Sequence, residues 1–327
     1  MSEAGHAYRQ MTRHARQADD PMLECRAMNA QTEAGFFSGM PTDELFDLLT
    51  SALAIAEEQD QKEQMSILHV KLGLLRTATA MGDFEQAEQN LHRARQLGEE
   101  IGDPARISIA LNHLGLFYTS CGDYRRAEEA LRACQAVERE QRVYWRNWET
   151  LHYLGALRMQ IGHLDSARAK LVRACEQLDR IGIRHYEVRV RCDLGLVHHL
   201  ADEQAQARNE LSRALTLLDG YGVLRFEALA LTRLGYVLEA MNHLTEAGEC
   251  YERGCELHHQ MGQHYLAMNA QAGLARIAAL RDNNEAALDR AVTIWETIAG
   301  KETVATIETA RTLRTCYTIF EAHDDPR

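Results

Sequence analysis

LGLFYTSCGDYRRAEEAL, residues 114–131, opens on an apolar run, breaks at Gly122-Asp123 and closes on a polar stretch threaded by Ala127 and Leu131. Gly, Asn and Asp tolerate the left-handed backbone that ends a helix, so the break marks a tight turn between two amphipathic helices, A and B. The same template recurs at 72–91 (LGLLRTATAMGDFEQAEQNL), 154–171 (LGALRMQIGHLDSARAKL), 194–211 (LGLVHHLADEQAQARNEL) and 234–251 (LGYVLEAMNHLTEAGECY). Ala87, Ala127, Ala167, Ala207, Ala247 and Ala287 succeed one another every 40 residues, as do Leu74, Leu114, Leu154, Leu194, Leu234 and Leu274. A small residue follows that leucine at Gly115, Gly155, Gly195, Gly235 and Ala275, with Leu75 the exception in the first unit. Two helices can approach closely where such residues recur.

A 40-residue unit accommodates two helices of about 17 residues, each roughly 25 Å long. One such hairpin cannot bury its apolar face alone, so stacking supplies the core and the expected class is an all-α solenoid. Six units are expected over 66–303, approximately 66–106, 107–147, 148–187, 188–227, 228–267 and 268–303. Residues 1–65 read as divergent helices of the same kind, with 6–18 like an unpaired helix B and a small insertion near SGMPTD; 304–327 reads as helix A of an incomplete repeat. Pro21, Pro41 and Pro104 open or precede helices, and Asp20-Pro21 and Asp103-Pro104 pair a capping residue with proline in the first turn. An array that starts and stops in mid-repeat is either closed by polar end helices or excised from a longer protein.

Leu-Gly on helix A, Gly-Asp at the turn and Ala on helix B resemble the tetratricopeptide repeat, and the 40-residue unit is similar to the MalT-type and LGN-type versions. HEAT repeats share the period but fit the small-residue columns less well. The resemblance implies a right-handed superhelix of antiparallel helix pairs whose inner face binds a protein or peptide. The segments MGQHYLAMNAQAGLARIAALRDNNEAAL (261–288) and LRTCYTIFEAHDDPR (313–327) are similar to the C-terminal sensor array of bacterial STAND-type regulators. That implies a linked ATPase or output domain, neither of which lies within this sequence.

The 327 residues are 46% apolar and 26% charged with a net charge of −12, a balance that disfavours general attraction to nucleic acid or anionic membranes. No apolar run is long enough for a membrane span and residues 1–17 lack the apolar centre of a signal peptide, so the expected compartment is the cytoplasm. Eight cysteines without a CxxC pair read as reduced packing residues. TIAGKET (297–303) lacks the upstream glycine of a phosphate loop, and HExxH and GxSxG are absent. The pairs His198-His199 and His258-His259 point about 100° apart on a helix, a poor start for a metal. No catalytic residue, cofactor or metal is expected. The basic run RIGIRHYEVRVR (180–191) reads as a helix junction paired with neighbouring acids.

Function in such an array lies on a surface. With the recurring leucine as position 7 of helix A, positions −2, 2, 5, 9 and 12 share one face, which lines the groove in tetratricopeptide arrays. Position 10 is largely apolar, whereas the other columns mix charge, polarity and aromatic rings, and position 9 lacks the asparagine of a chaperone-type carboxylate clamp. The candidate contacts are Asn112, Trp145, Glu149, His152, His185, Arg189, His199, Tyr236, Glu239 and Arg276. Trp145, at position −2, points with Glu149 and His152 to the groove, while Trp148, at position 1, reads as packing. The expected function is a non-enzymatic protein- or peptide-binding scaffold, the sensor or regulatory module of a larger bacterial signalling or transcription regulator, compatible with a homo-oligomer. The rival expectations are a MalT-type small-molecule effector sensor and a peptide-pheromone receptor.

Overall fold

The computed structural model describes residues 3–79, 83–142, 146–219, 222–299 and 307–323, and every regular element among them is helical. The chain divides into two compact units, Met1–Leu154 and Gly155–Arg327. The first holds α1 (Glu3–Gln17), α2 (Pro21–Ser38), α3 (Thr42–Glu58), α4 (Lys62–Thr79), α5 (Phe84–Ile101), α6 (Pro104–Ser120) and α7 (Tyr124–Glu140). The division falls within α8 (Asn147–Gln160). The second holds α9 (Leu164–Ile181), α10 (Arg184–Leu200), α11 (Gln204–Leu217), α12 (Leu224–Ala240), α13 (Leu244–Gln260), α14 (His264–Leu280), α15 (Asn284–Ile298) and α16 (Ile307–Ala322). No helix among the described residues is long and apolar enough to cross a membrane.

The helices end on a clock. Gly102, Gly122, Arg142, Gly162, Gly182, Asp202, Gly222, Asn242, Gly262 and Asp282 all have positive φ, one every 20 residues, so each 40-residue unit contains two such stops. After them the Asp123, His163, Glu203, His243 and Asn283 amides reach back five residues to the carbonyls of Tyr118, Arg158, His198, Leu238 and Ala278 at 2.8–3.0 Å. These bonds satisfy carbonyls that a helix end otherwise leaves unpaired. The next helix starts at once, with Asp83, Asp103, Asp123 and Asn283 accepting from its first-turn amides. Connections this short oblige consecutive helices to lie antiparallel. Successive helices pack on one another from α1 to α7 and from α9 to α16, and the A helices α10, α12 and α14 also pack side by side, as do α4 and α6.

The small-residue column is where A meets B. A β-carbon on Gly115, Gly155 or Gly195 would stand 2.5–2.7 Å from Cγ of Leu131, Leu171 or Leu211, closer than packed atoms tolerate. Leu75 is not a true exception to this rule. Gly73 makes the equivalent approach, its β-carbon falling 2.7 Å from Leu91 Cγ, while Leu72 and Leu75 are buried and Leu74 is only half-buried. Helix α4 is therefore shifted by two residues relative to the other A helices. LGLLRTATAMGD contains two more residues than LGLFYTSCGD between the Leu-Gly pair and the capping aspartate.

In the fifth unit the leucine is replaced by Tyr251, fully buried between α12 and α14. β-Carbons on Gly235 and on Gly273 would both come within 2.4 Å of its ring, so two glycines open the slot for the larger side chain. At the other end of the second unit, Cys316, Ile319 and Phe320 of α16 join Ala272, Ala275, Ile294 and Ile298 in one apolar cluster. Trp148, at position 1, is 4% exposed and belongs to the core of the first unit.

Gly115→Ala should destabilise the first unit by about 1–3 kcal/mol through overpacking against Leu131. Leu131→Ala in the same chain should recover part of that loss, so that the double variant is more stable than additivity requires. Denaturant unfolding of the four-member cycle measures the coupling.

Candidate functional site

Three A helices of the second unit, α10, α12 and α14, carry His199, Arg233 with Tyr236 and Glu239, and Arg276 toward one another. Glu239 is the centre: Arg276 donates to both its oxygens at 2.7 and 2.8 Å, and the Tyr251 hydroxyl, threaded between the helices from α13, donates at 2.6 Å. Six residues earlier on α12, buried Arg233 donates to Asp193 of α10. Over this face lies α16. Glu308 accepts from Arg233 through both oxygens at 2.9 and 3.2 Å. Arg311 donates to His199 Nε2 at 3.1 Å and to Glu239 at 3.4 Å, its guanidinium 4.4 Å above the Tyr236 ring. Thr312 donates to Asn269 at 2.9 Å, and Arg276 donates to the Thr315 hydroxyl at 2.8 Å. The helix expected to be helix A of an incomplete repeat thus packs on α14 and α15 through its second half and reaches back across α12 to α10 through its first.

The ionisation states follow from these partners. Burial opposes the charge on Glu239, but Arg276, Tyr251 and Arg311 outweigh it and hold the carboxyl below the usual range. Burial likewise opposes the charges of Arg233 and Arg276, and their carboxylates more than restore them. Burial pushes the Tyr236 hydroxyl up. His199 is lowered by burial and by Arg311 despite its hydrogen bond to Gln204, so the neutral ring accepts from Arg311 at Nε2 and donates from Nδ1 to Gln204 Oε1, 2.9 Å away.

In the first unit Glu149, 3% exposed, takes a 2.6 Å bond from Arg146 and lies 3.8 Å from His113. Burial raises its pKa, but Arg146 and His113 prevail and the carboxyl is lowered. His113 Nδ1 is 3.4 Å from the Tyr153 hydroxyl, and the rings of His152 and Tyr153 are 5.1 Å apart. Asn112 and His152 are buried as well, and the Oδ1 atom of Asn112 finds no hydrogen-bond partner. Position 5 is buried in all six units: Asn112, His152, Cys192, Thr232 and Ala272, and in the first unit Val70, once the two-residue shift of α4 is taken into account. This corrects the expectation that it faces an open groove: in the fifth unit Thr232 lies against its own B partner, where a β-carbon on Gly254 of α13 would stand 2.8 Å from the threonine hydroxyl. His185 and Arg189 are half-buried at the start of α10, the His185 ring 4.4 Å from that of Tyr186. Trp145 lies outside the described residues.

Sequence reading missed four participants. Tyr251 sits on helix B, outside the columns surveyed. Arg233 and Asp193 occupy position 6, which was not counted toward the face. Glu138 on α7 is a fourth, buried and accepting from Thr150 at 2.6 Å and Asn147 at 2.8 Å. Arg191 of the basic run is paired with Glu187 and Glu210 at 2.7 and 2.6 Å, in a buried rather than a solvated setting. Among the described residues no three His, Cys, Asp or Glu groups are placed to share a metal. All eight cysteines are free thiols, and burial pushes Cys134, Cys175 and Cys192 up to about 12, far from a nucleophile's range.

Residues 109–141 and 228–258 match the tetratricopeptide repeat family model. The fold is a tetratricopeptide-type α-solenoid. A search of curated proteins found no match. Among solved structures the chain is similar to a Pyrococcus horikoshii signal transduction ATPase with numerous domains (STAND) that carries a tetratricopeptide repeat sensor, at 14% identity and a TM-score of 0.59, covering 99% of this chain and 50% of that one. This chain therefore spans half the length of the STAND protein. It is also similar to a Rap protein complexed with competence and sporulation factor (12%, TM-score 0.63, 99% and 98%) and to yeast Tom70 (13%, TM-score 0.55, 93% and 64%). At these identities the tetratricopeptide solenoids share the fold alone.

Acidification should loosen the second unit. His258, buried on α13 beside Gln263, is lowered by burial from 6.5 to about 4, and His199 shifts in the same direction. The unfolded chain then binds more protons between these values, so stability is full above pH 6.5 and is lost as the pH falls toward 4. For His258 the loss amounts to roughly 3 kcal/mol. Denaturant melts across this range should show the slope, and His258→Gln should flatten most of it.

Proposed function

We propose that this solenoid is a non-enzymatic scaffold that binds a protein or peptide, as the sensor or regulatory interaction module of a larger signalling or transcription regulator. The observation that carries the reading is the face of α10, α12 and α14. It sets alternating cations and anions, Arg233, Glu239 and Arg276, around a buried tyrosine, and it receives a helix. Helix-in-groove recognition uses an anchor stripe of this kind. Arg189 and His185 of α10 and the Asn112, Glu149 and His152 cluster of the first unit are the further candidate contacts, with Trp145 beside the latter in sequence. Similarity to the STAND protein supports a partner domain with ATPase or output function, and similarity to a Rap protein complexed with competence and sporulation factor supports a ligand bound by the solenoid.

A small-molecule effector is the second reading, on one observation. A cavity of about 430 Å³ is lined by Asp179, Arg184, Glu187, Arg213 and Asp219 at the ends of α9, α10 and α11. Its size suits a metabolite, but among the described residues Leu217 is its one large apolar wall, whereas small-molecule sites are mostly apolar.

Peptides selected from a display library against the full chain should lose about tenfold in affinity, about 1.4 kcal/mol, on Arg189→Ala or Glu239→Gln. Circular-dichroism melting of the same variants checks that folding is kept. Thermal stabilisation by metabolites but by no selected peptide would transfer the assignment to the cavity.

A further inference from the structure

The polar face on α10, α12 and α14 is occupied by a segment of its own chain. Glu308, Arg311, Thr312 and Thr315 fall at i, i+3, i+4 and i+7, a single stripe along α16. In order they meet Arg233, then Tyr236 with Glu239 and His199, then Asn269, then Arg276. Among the described side chains of the helix, it is the second half, through Cys316, Ile319 and Phe320, that enters apolar core. Among its described side chains the first half is held by ion pairs and hydrogen bonds rather than by apolar burial.

The receptors on the face also have partners outside α16. Arg233 donates to Asp193, and Glu239 accepts from Arg276 and the Tyr251 hydroxyl, all of them groups of the solenoid outside α16. Breaking a buried pair is costly because it strands a charge. Here neither receptor would be stranded, so the first half of α16 can leave at low cost. A face already organised also loses little when one helix replaces another.

We infer that α16 is a resident stand-in for the partner. The partner is an α-helical segment of another protein that presents a carboxylate to Arg233 and, one turn later, an arginine over Tyr236 beside Glu239, and it binds by displacing the first half of α16. The inference rests on the peptide-binding reading of the same face and adds both the chemistry of the ligand and what it must move.

The test uses the full chain carrying Glu308→Ala with Arg311→Ala, substitutions that leave every receptor intact, and a fluorescein-labelled peptide of residues 305–323 as probe. Amide exchange in α16 should accelerate about tenfold while α10, α12 and α14 keep their protection. The peptide should bind the variant at least about tenfold tighter than the unaltered chain, because the competing helix no longer reduces the accessible fraction. A peptide carrying Glu308→Arg should lose that gain. Equal affinity for both chains would overturn the displacement while leaving the peptide-binding reading standing. No binding to a variant whose α16 has opened would overturn both. Loss of protection in α10, α12 and α14 together with α16 would make α16 a structural cap and end the proposal. A variant dimer in sedimentation that excess peptide does not dissociate would assign the face to α16 of a second copy and overturn the foreign partner. Should the double variant fail to fold, Arg311→Lys with the same two readouts decides, with a smaller gain in affinity expected and none overturning the idea.

Discussion

Gly115 and Leu131 approach so closely that one added carbon would stand 2.5 Å from the leucine Cγ. That contact, repeated as Gly73 with Leu91, Gly155 with Leu171 and Gly195 with Leu211, sets how near helix A lies to helix B. The distance in turn sets where the next helix can pack. From Gly102 to Asp282 a left-handed residue every 20 positions closes each helix, so there the helices keep one spacing and one phase. The constraint is local, and repetition makes it architectural.

Much of this was legible because packing writes a periodic signal. The alanines 40 residues apart, the leucine column and the Gly-Asp turns located the helices, and the burial of Trp148 followed from its place in an apolar column. The slip in α4 was hidden for the same reason. Aligning the unit on Ala87 forces Leu74 into the leucine column, although the two extra residues lie on the other side of Leu72-Gly73. A period measured on helix B carries no information about an insertion before the turn.

The face was less legible than the fold. Column reading treats each helix A as a cylinder with one free side, yet the flank that holds Asn112, His152 and Thr232 is buried, and Thr232 lies against Gly254 of its own B partner. Polar residues there need internal partners, which is why Thr232 bonds the Ala228 carbonyl and Glu149 is clasped by Arg146. Tyr251 could be recognised only as a pair of changes: a leucine position turned aromatic, and a second glycine, Gly273, on the following helix A. Neither change alone says that a hydroxyl from helix B reaches Glu239.

Charge on the second unit's face does more to select than to hold. Arg233 and Arg276 are each already neutralised by an acid of the solenoid, so a helix arriving there exchanges one set of polar contacts for another and gains little net attraction. What it meets is a sequence of requirements: an acceptor for Arg233, a cation for the Tyr236 ring and Glu239, and hydroxyls near Asn269 and Arg276. A helix of the wrong pattern would set carboxylate against Glu239 or guanidinium against Arg233, and repulsion of that kind discriminates strongly at close range. The apolar contribution comes from elsewhere, from Ile319 and Phe320 in the cluster with α14 and α15. Affinity and selectivity are thus carried by different halves of the same helix, and the selective half is the one whose departure leaves the solenoid's own charges paired.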